Sequence, residues 1–166
     1  VTVFAGDGNG GFSSSGQALR TGRRPVQVRL ADLNQDTYLD IVTVNLGNGN
    51  LSLLLSTGQG SYAPALSIPV EGIPASLEIS DMNMDQLPDL VVGILGQPKV
   101  QVIHNDGDGR FPVSRSHGLG ELSFYAHDIA VDDLDNDGDP DIVSVEAGQY
   151  TASNQDFTQN NQPIDL

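Results

Sequence analysis

Three nine-residue stretches of this chain place short, oxygen-bearing side chains at every second position. The first carries Asp32, Asn34, Asp36 and Asp40, the second Asp81, Asn83, Asp85 and Asp89, and the third Asp133, Asp135, Asp137 and Asp141. Oxygens at loop positions 1, 3 and 5, with an acid at position 9, can turn inward around one hard cation without stretching the backbone. The main-chain carbonyl at position 7, from Tyr38, Leu87 and Asp139, completes each set. Calcium accepts six to eight oxygens at about 2.3–2.6 Å in flexible geometry, whereas magnesium demands a stricter octahedron. The spacing therefore predicts three calcium sites.

An acidic turn on a solvated edge would explain one such loop. Three copies, each running into an apolar strand sequence (IVTV, LVVG, IVSV), argue against it. An EF-hand would need Glu at loop position 12, between two helices. Position 12 here is Thr43, Val92 or Ser144, inside the apolar run. The third loop has four carboxylates and Gly138 at position 6, where a sharp turn favours glycine. The first two have three carboxylates and carry Thr37 and Gln86 there. The third is thus expected to bind tightest. Without metal the carboxylates of each loop repel one another, so calcium is expected to be part of the fold.

The elements that hold these loops repeat with them. The first residues of the three loops lie 49 and 52 positions apart, and a glycine-rich motif recurs out of phase: GDGNGGF at 6–12, TGQGSY at 57–62 and DGDGRF at 106–111. Two unrelated motifs on one period define a repeat of about fifty residues. Within it, VQVRLAD (26–32) alternates as a half-buried strand does, IVTVNL (41–46) suits burial on both faces, LSLLLS (51–56) follows a glycine turn, and ALSIPV (65–70) is the weakest strand. Four strands and tight turns per repeat predict an all-β chain of β-propeller blades, about three blade equivalents in all. The phase predicts a half-blade at 1–25, blades at 26–74 and 75–125, a half-blade at 126–145, and a polar tail at 146–166.

Composition narrows the function. The 166 residues include 22 acidic and seven basic side chains, a formal net charge of −15, and 18 of the acids are Asp. Nucleic-acid binding requires a basic footprint and is excluded. With no Cys, disulfides, zinc thiolates and cysteine nucleophiles are absent. No apolar run reaches the roughly 18–20 residues of a membrane span. The chain starts at Val1 without a signal peptide, which suggests a processed or excerpted chain.

The loops and strands together resemble the FG-GAP and VCBS repeat families, the calcium-loop propeller blades of integrin α-subunit heads and of large bacterial surface proteins. The resemblance covers about 1–146 and rests on an apolar strand, D-x-[DN]-x-D-x-x-x-D, I-V-x-V, a further apolar strand and G-x-G-x-F. It implies the propeller fold, extracellular or cell-surface placement, and calcium in each acidic loop through the twelve side chains named above. The family serves adhesins, lectin-like proteins and enzyme appendages, so it does not fix one function.

Other constellations carry less. His104, His117 and His127 are scattered and read as surface or internally satisfied histidines. Ser13, Ser14 and Ser15 lack a nucleophile elbow, and the paired carboxylates all belong to the loops, so no catalysis is expected. Arg20, Arg23, Arg24 and Arg29 read as a solvated turn or a docking patch for an acidic neighbour. Asn50 opens an N-glycosylation acceptor triplet. The glycine-rich turns are hairpins rather than phosphate cradles, since no helix follows them. The expected role is structural or adhesive and not enzymatic. The alternatives are a carbohydrate-binding propeller, for which Tyr38, Tyr125 and Tyr150 are candidate platforms, and an accessory domain of a secreted enzyme. Expected partners are other copies of the chain, completing half-blades between them, or the remaining blades of a longer propeller. Glycans and cell-surface proteins are further candidates; nucleic acid is not.

Overall fold

Glycine turns cut the apolar runs into short strands, and these pair locally, most with a neighbour in sequence and one across an intervening hairpin. The computed structural model describes residues 1–118 and 125–147. Among them every strand pairing is antiparallel and no helix occurs. β1 (Thr2–Gly6) and β2 (Phe12–Ala18) form a two-stranded sheet. β3 (Pro25–Ala31), β4 (Asp40–Asn45), β5 (Asn50–Leu54), then a hairpin of β6 (Ser56–Gly58) and β7 (Ser61–Tyr62), and finally β8 (Leu66–Pro69) follow. β3-β4-β5-β8 form a four-stranded sheet in that order. β9 (Ile73–Ser80), β10 (Asp89–Leu95), β11 (Lys99–His104) and β12 (Val113–Gly118) form a second one. β13 (Tyr125–Asp132) and β14 (Asp141–Ala147) pair as a final two-stranded sheet. Consecutive up-and-down strands in small sheets are the plan of propeller blades, and the fold is an all-β partial propeller.

Register decides what each face buries. Leu30, Ile41 and Leu54 stand in one row across β3, β4 and β5, while Arg29, Val42 and Leu53 stand in the next. Paired residues share a face, so these rows look in opposite directions. β4 is buried along its whole length, which accounts for its unbroken apolar run. The core therefore lies between sheets. Val42, Val44, Leu51, Leu53 and Ile68 of the first four-stranded sheet pack with Leu77, Leu90, Val92, Ile94 and Ile103 of the second. The other face of the second sheet, through Val91, Val100 and Val102, packs on Ile129 of β13. Leu19, just after β2, packs against Ile41 and Leu54. Two polar ties join the innermost strands: the Arg29 guanidinium pairs with Glu78, and Gln27 Oε1 accepts the Leu77 N–H at 2.7 Å.

Three details depart from the sequence reading. The run at 51–56 is not one strand, because β5 ends at Leu54 and Ser56 opens the separate β6–β7 ribbon. The alternating apolar residues of 26–32 are exposed rather than buried: Val26, Val28 and Leu30 face solvent, since no sheet among the described residues covers that side of β3. β14 runs through Ala147, two residues into the stretch expected to be tail. The remainder of that stretch, with Tyr150, lies outside the described residues.

Candidate metal centre

Each acidic loop joins the first two strands of its sheet: β3 to β4, β9 to β10, and β13 to β14. To reverse direction in nine residues the backbone enters the left-handed region twice. It does so at position 4, through Gln35, Met84 and Asn136, and again at position 6, through Thr37, Gln86 and Gly138. Asn and Gly are the residue types that tolerate this region, whereas a β-branched residue is strained there. Only the third loop uses the favourable pair. Thr37, at φ 72°, is the most unfavourable choice of the six.

Inside the loops one hydrogen-bond frame repeats. The position-1 carboxylate accepts two backbone N–H groups, those of positions 5 and 6: Asp32 from Asp36 and Thr37, Asp81 from Asp85 and Gln86, Asp133 from Asp137 and Gly138. The position-5 carboxylate accepts the N–H of position 7, so Asp36, Asp85 and Asp137 hold Tyr38, Leu87 and Asp139. Backbone donors thus fix the carboxylates that bend the loop. In the third loop, oxygens of Asp133, Asp135 and Asp141 lie within 4.8 Å of one another. Three carboxylates converging at that distance repel unless a cation lies between them. The donor set is all oxygen, which suits a hard cation.

The first two loops relieve the same crowding differently. At position 3 they carry Asn, and its amide donates to the position-5 carboxylate: Asn34 Nδ2 to Asp36 at 2.9 Å and Asn83 Nδ2 to Asp85 at 2.8 Å. Asp135 has no proton to give Asp137, so the third loop keeps the greatest uncompensated charge.

Position 9 does more than its spacing suggested. Asp40 and Asp89 are completely buried. Asp40 accepts the N–H of Leu33 at 3.0 Å and that of Ser56 at 2.7 Å. Asp89 accepts those of Met82 and Asn105, and His104 Nδ1 stands 3.1 Å from it. Burial pushes the Asp40 carboxyl above the usual carboxylate range. The two N–H donors oppose that shift, while Asp36 and Asp32 reinforce it. Asp141 accepts only the N–H of Leu134 among the described residues and is part-exposed.

The glycine-rich turns sit against these loops. A Cβ at Gly58 would approach the Tyr38 ring to 3.3 Å, and one at Gly107 would lie 3.5 Å from Leu87. Position 7 of each of the first two loops thus rests on the turn of its own sheet. Gly109 in turn meets Asn34 and Leu55 of the preceding sheet. Asn105 fastens two loops together: its buried amide donates to Leu33 O at 2.9 Å and Pro88 O at 3.1 Å, and its Oδ1 accepts the Gly107 N–H. The sequence reading missed Asn105 and Ser56. Their signal was a fixed offset of sixteen residues from Asp89 and Asp40. The Asn50 amide, by contrast, donates to Ser67 Oγ at 2.7 Å within the sheet. Of the arginines, Arg29 forms the ion pair with Glu78, and no charge partner is described for Arg20, Arg23 or Arg24.

A family model described as FG-GAP-like repeat matches residues 32–92 and again 81–144. Each match opens on position 1 of a loop and spans two loops. The chain belongs to the FG-GAP-like repeat family. No curated protein and no solved structure matches it. As an FG-GAP-like repeat protein it is built from propeller blades, and no helix among its described residues is long and apolar enough to cross a membrane.

Proposed function

We propose that this chain is a calcium-binding propeller segment of an extracellular or cell-surface protein, with a structural or adhesive role and no catalysis of its own. The observation that carries the reading is the third loop, where Asp133, Asp135 and Asp141 converge on one centre within a frame that the other two loops repeat. Family membership supports it, since repeats of this kind often bind calcium. Side chains at positions 1, 3, 5 and 9 would hold each ion: Asp32, Asn34, Asp36 and Asp40; Asp81, Asn83, Asp85 and Asp89; Asp133, Asp135, Asp137 and Asp141. Tyr38, Leu87 and Asp139 would add their carbonyls. At Asn34 and Asn83 the amide would turn its oxygen inward. The bound cation would neutralise the crowded carboxylates and pin the turn between the first two strands of a blade. In this reading β1–β2 and β13–β14 are the last and first strand pairs of their blades.

The test is calcium titration by calorimetry together with thermal melting in EDTA. Chelation should lower the melting temperature by at least 10 °C, and elemental analysis should recover up to three ions per chain. Unchanged melting with no calcium recovered would refute the proposal.

A further inference from the structure

A cleft runs between the end of β2 and the outer strands of the first four-stranded sheet. Its volume of about 560 Å³ lies inside the roughly 300–1,000 Å³ of small-molecule sites. Residues 17–22 form one wall and 62–67 the other, with Asn50, Ser52 and Leu54 of β5 between them, and no residue of the acidic loops takes part. Leu19 and Leu54 are its apolar lining, and half-buried Tyr62 packs against them. The Gln17 amide ties the two walls together: its Nε2 donates to Tyr62 O at 3.0 Å and its Oε1 accepts the Tyr62 N–H at 3.2 Å. The walls are thus set before a ligand arrives, which lowers the cost of binding one.

The repeat treats this place differently at its next junction. Asn50 and Lys99 both stand eighteen residues after position 1 of their loops, and Gly22 and Glu71 both stand ten before it. At the second junction Lys99 Nζ reaches Glu71 at 3.3 Å, an ion pair from β11 to the segment that leaves β8. Asn50 and Gly22 cannot make that bridge, and a Cβ on Gly22 would fall 2.6 Å from Asn45. Short amides and hydroxyls therefore line the first junction where a salt bridge spans the second. Asn50, Ser52 and Ser67 answer ligand hydroxyls as donors or acceptors, and Tyr62 offers an aromatic body with a polar tip. Arg20 adds a cation to the same lining. It is exposed and has no charge partner among the described residues, in a chain with 22 acidic side chains to seven basic ones.

We infer that this cleft binds a carboxylated sugar, a uronic-acid unit of a glycan. Arg20 pairs with the carboxylate, the amides and hydroxyls hold the ring hydroxyls, and Tyr62 takes the apolar face of the ring. A neutral sugar leaves Arg20 unused, and an acidic peptide leaves the hydroxyl-bearing lining unmatched. The inference deepens the adhesive role proposed above and rests on that reading for its biological sense, while the cleft shares no residue with the metal loops.

The experiment is an amide-resolved NMR titration in millimolar calcium, with diglucuronic acid, its dimethyl ester and tetraglutamate as probes. Diglucuronic acid should move signals saturably on both walls, from Gln17–Gly22 and from Tyr62–Ser67. The ester should bind at least about tenfold more weakly, and Arg20→Gln should cost the acid the same factor. Ser67→Tyr, at an exposed lining position, should block the cleft and abolish the shifts, whereas Arg23→Gln, outside the cleft, should change affinity by less than about twofold, since an exposed charge at a distance is screened. Thermal melting of each variant checks that it is folded. No saturable shift, equal affinity for acid and ester, or binding that survives Ser67→Tyr overturns the site. Tetraglutamate binding more tightly than the sugar overturns the ligand class in favour of an acidic peptide. Melting in EDTA on the same samples separates the two readings: calcium-dependent melting without sugar binding sinks the cleft alone, and sugar binding with unchanged melting and no calcium recovered sinks the loop assignment alone.

Discussion

Asn105 offers the sharpest measurement of how the loops are held, because its one side chain serves three backbone groups, one buried and two part-buried. Its amide donates to Leu33 O and Pro88 O, and its carbonyl oxygen accepts from Gly107 N–H. Asn105→Ala strands all three. A buried polar group left without a partner costs about 1–3 kcal/mol and a part-buried one less, so the substitution should destabilise the chain by about 3 kcal/mol. At about 2–4 °C per kcal/mol for a chain of this size, that is a fall in melting temperature of roughly 6–12 °C. Ser is what the preceding sheet uses at the same position, where Ser56 Oγ accepts from Gly58 N–H. Asn105→Ser should therefore keep one partner and lose about 2 kcal/mol. Asn105→Asp sets a carboxylate oxygen against two carbonyls and should be the worst of the three. Urea unfolding in calcium gives each value from the midpoint and slope. An alanine variant within about 0.5 kcal/mol of wild type, or an aspartate variant more stable than alanine, would refute the account of Asn105 as the bolt between two loops.

Two more outcomes follow from the loops. Thr37→Gly should stabilise the chain by about 0.5–1 kcal/mol, the left-handed strain relieved less the added entropy of the unfolded glycine, while Gly138→Thr should destabilise it; chemical denaturation with both changes neutral would contradict the strain argument. Asp40→Ala should cost about 3–5 kcal/mol in calcium-free buffer, since it strands two buried N–H donors, whereas Asp141→Ala should cost well under half as much there, and equal losses would refute the framework role argued for the second donor to Asp40.

Much of this was legible in the chain itself. The period, the blade strands and the acidic loops are written in residue types, because alternate-position oxygens and glycine-rich turns have few other uses. Position 6 was legible too: Gly138 marks the left-handed residue that Thr37 and Gln86 adopt under strain. What escaped is cross-sheet. Nothing in the letters around Asn105 says that its amide spans from Pro88 to Leu33, seventy-two residues away. The alternation of Val26, Val28 and Leu30 announced a buried face correctly as chemistry, but burial requires a neighbour, and a hydropathy pattern cannot tell whether that neighbour belongs to the same chain. His104 read as a satisfied histidine, and it is one, though its partner is Asp89.

The seating of Gly58 on Tyr38 and of Gly107 on Leu87, two glycine turns on position 7 of their own loops, constrains where the chain can change length. Thirty residues separate Asp32 from Tyr62, and thirty separate Asp81 from Phe111. Tyr38 on Gly58 and Leu87 on Gly107 hold that distance fixed, since an added residue would lift the loop off its turn. From the aromatic to the next loop the count is free to drift: twenty from Phe12 to Asp32, nineteen from Tyr62 to Asp81, twenty-two from Phe111 to Asp133. The repeat is thus rigid within a blade and elastic between blades. A peptide tag or binding loop grafted after Phe111 enters where the architecture already tolerates variation, and the same graft between Leu87 and Gly107 separates a loop from the turn that supports it.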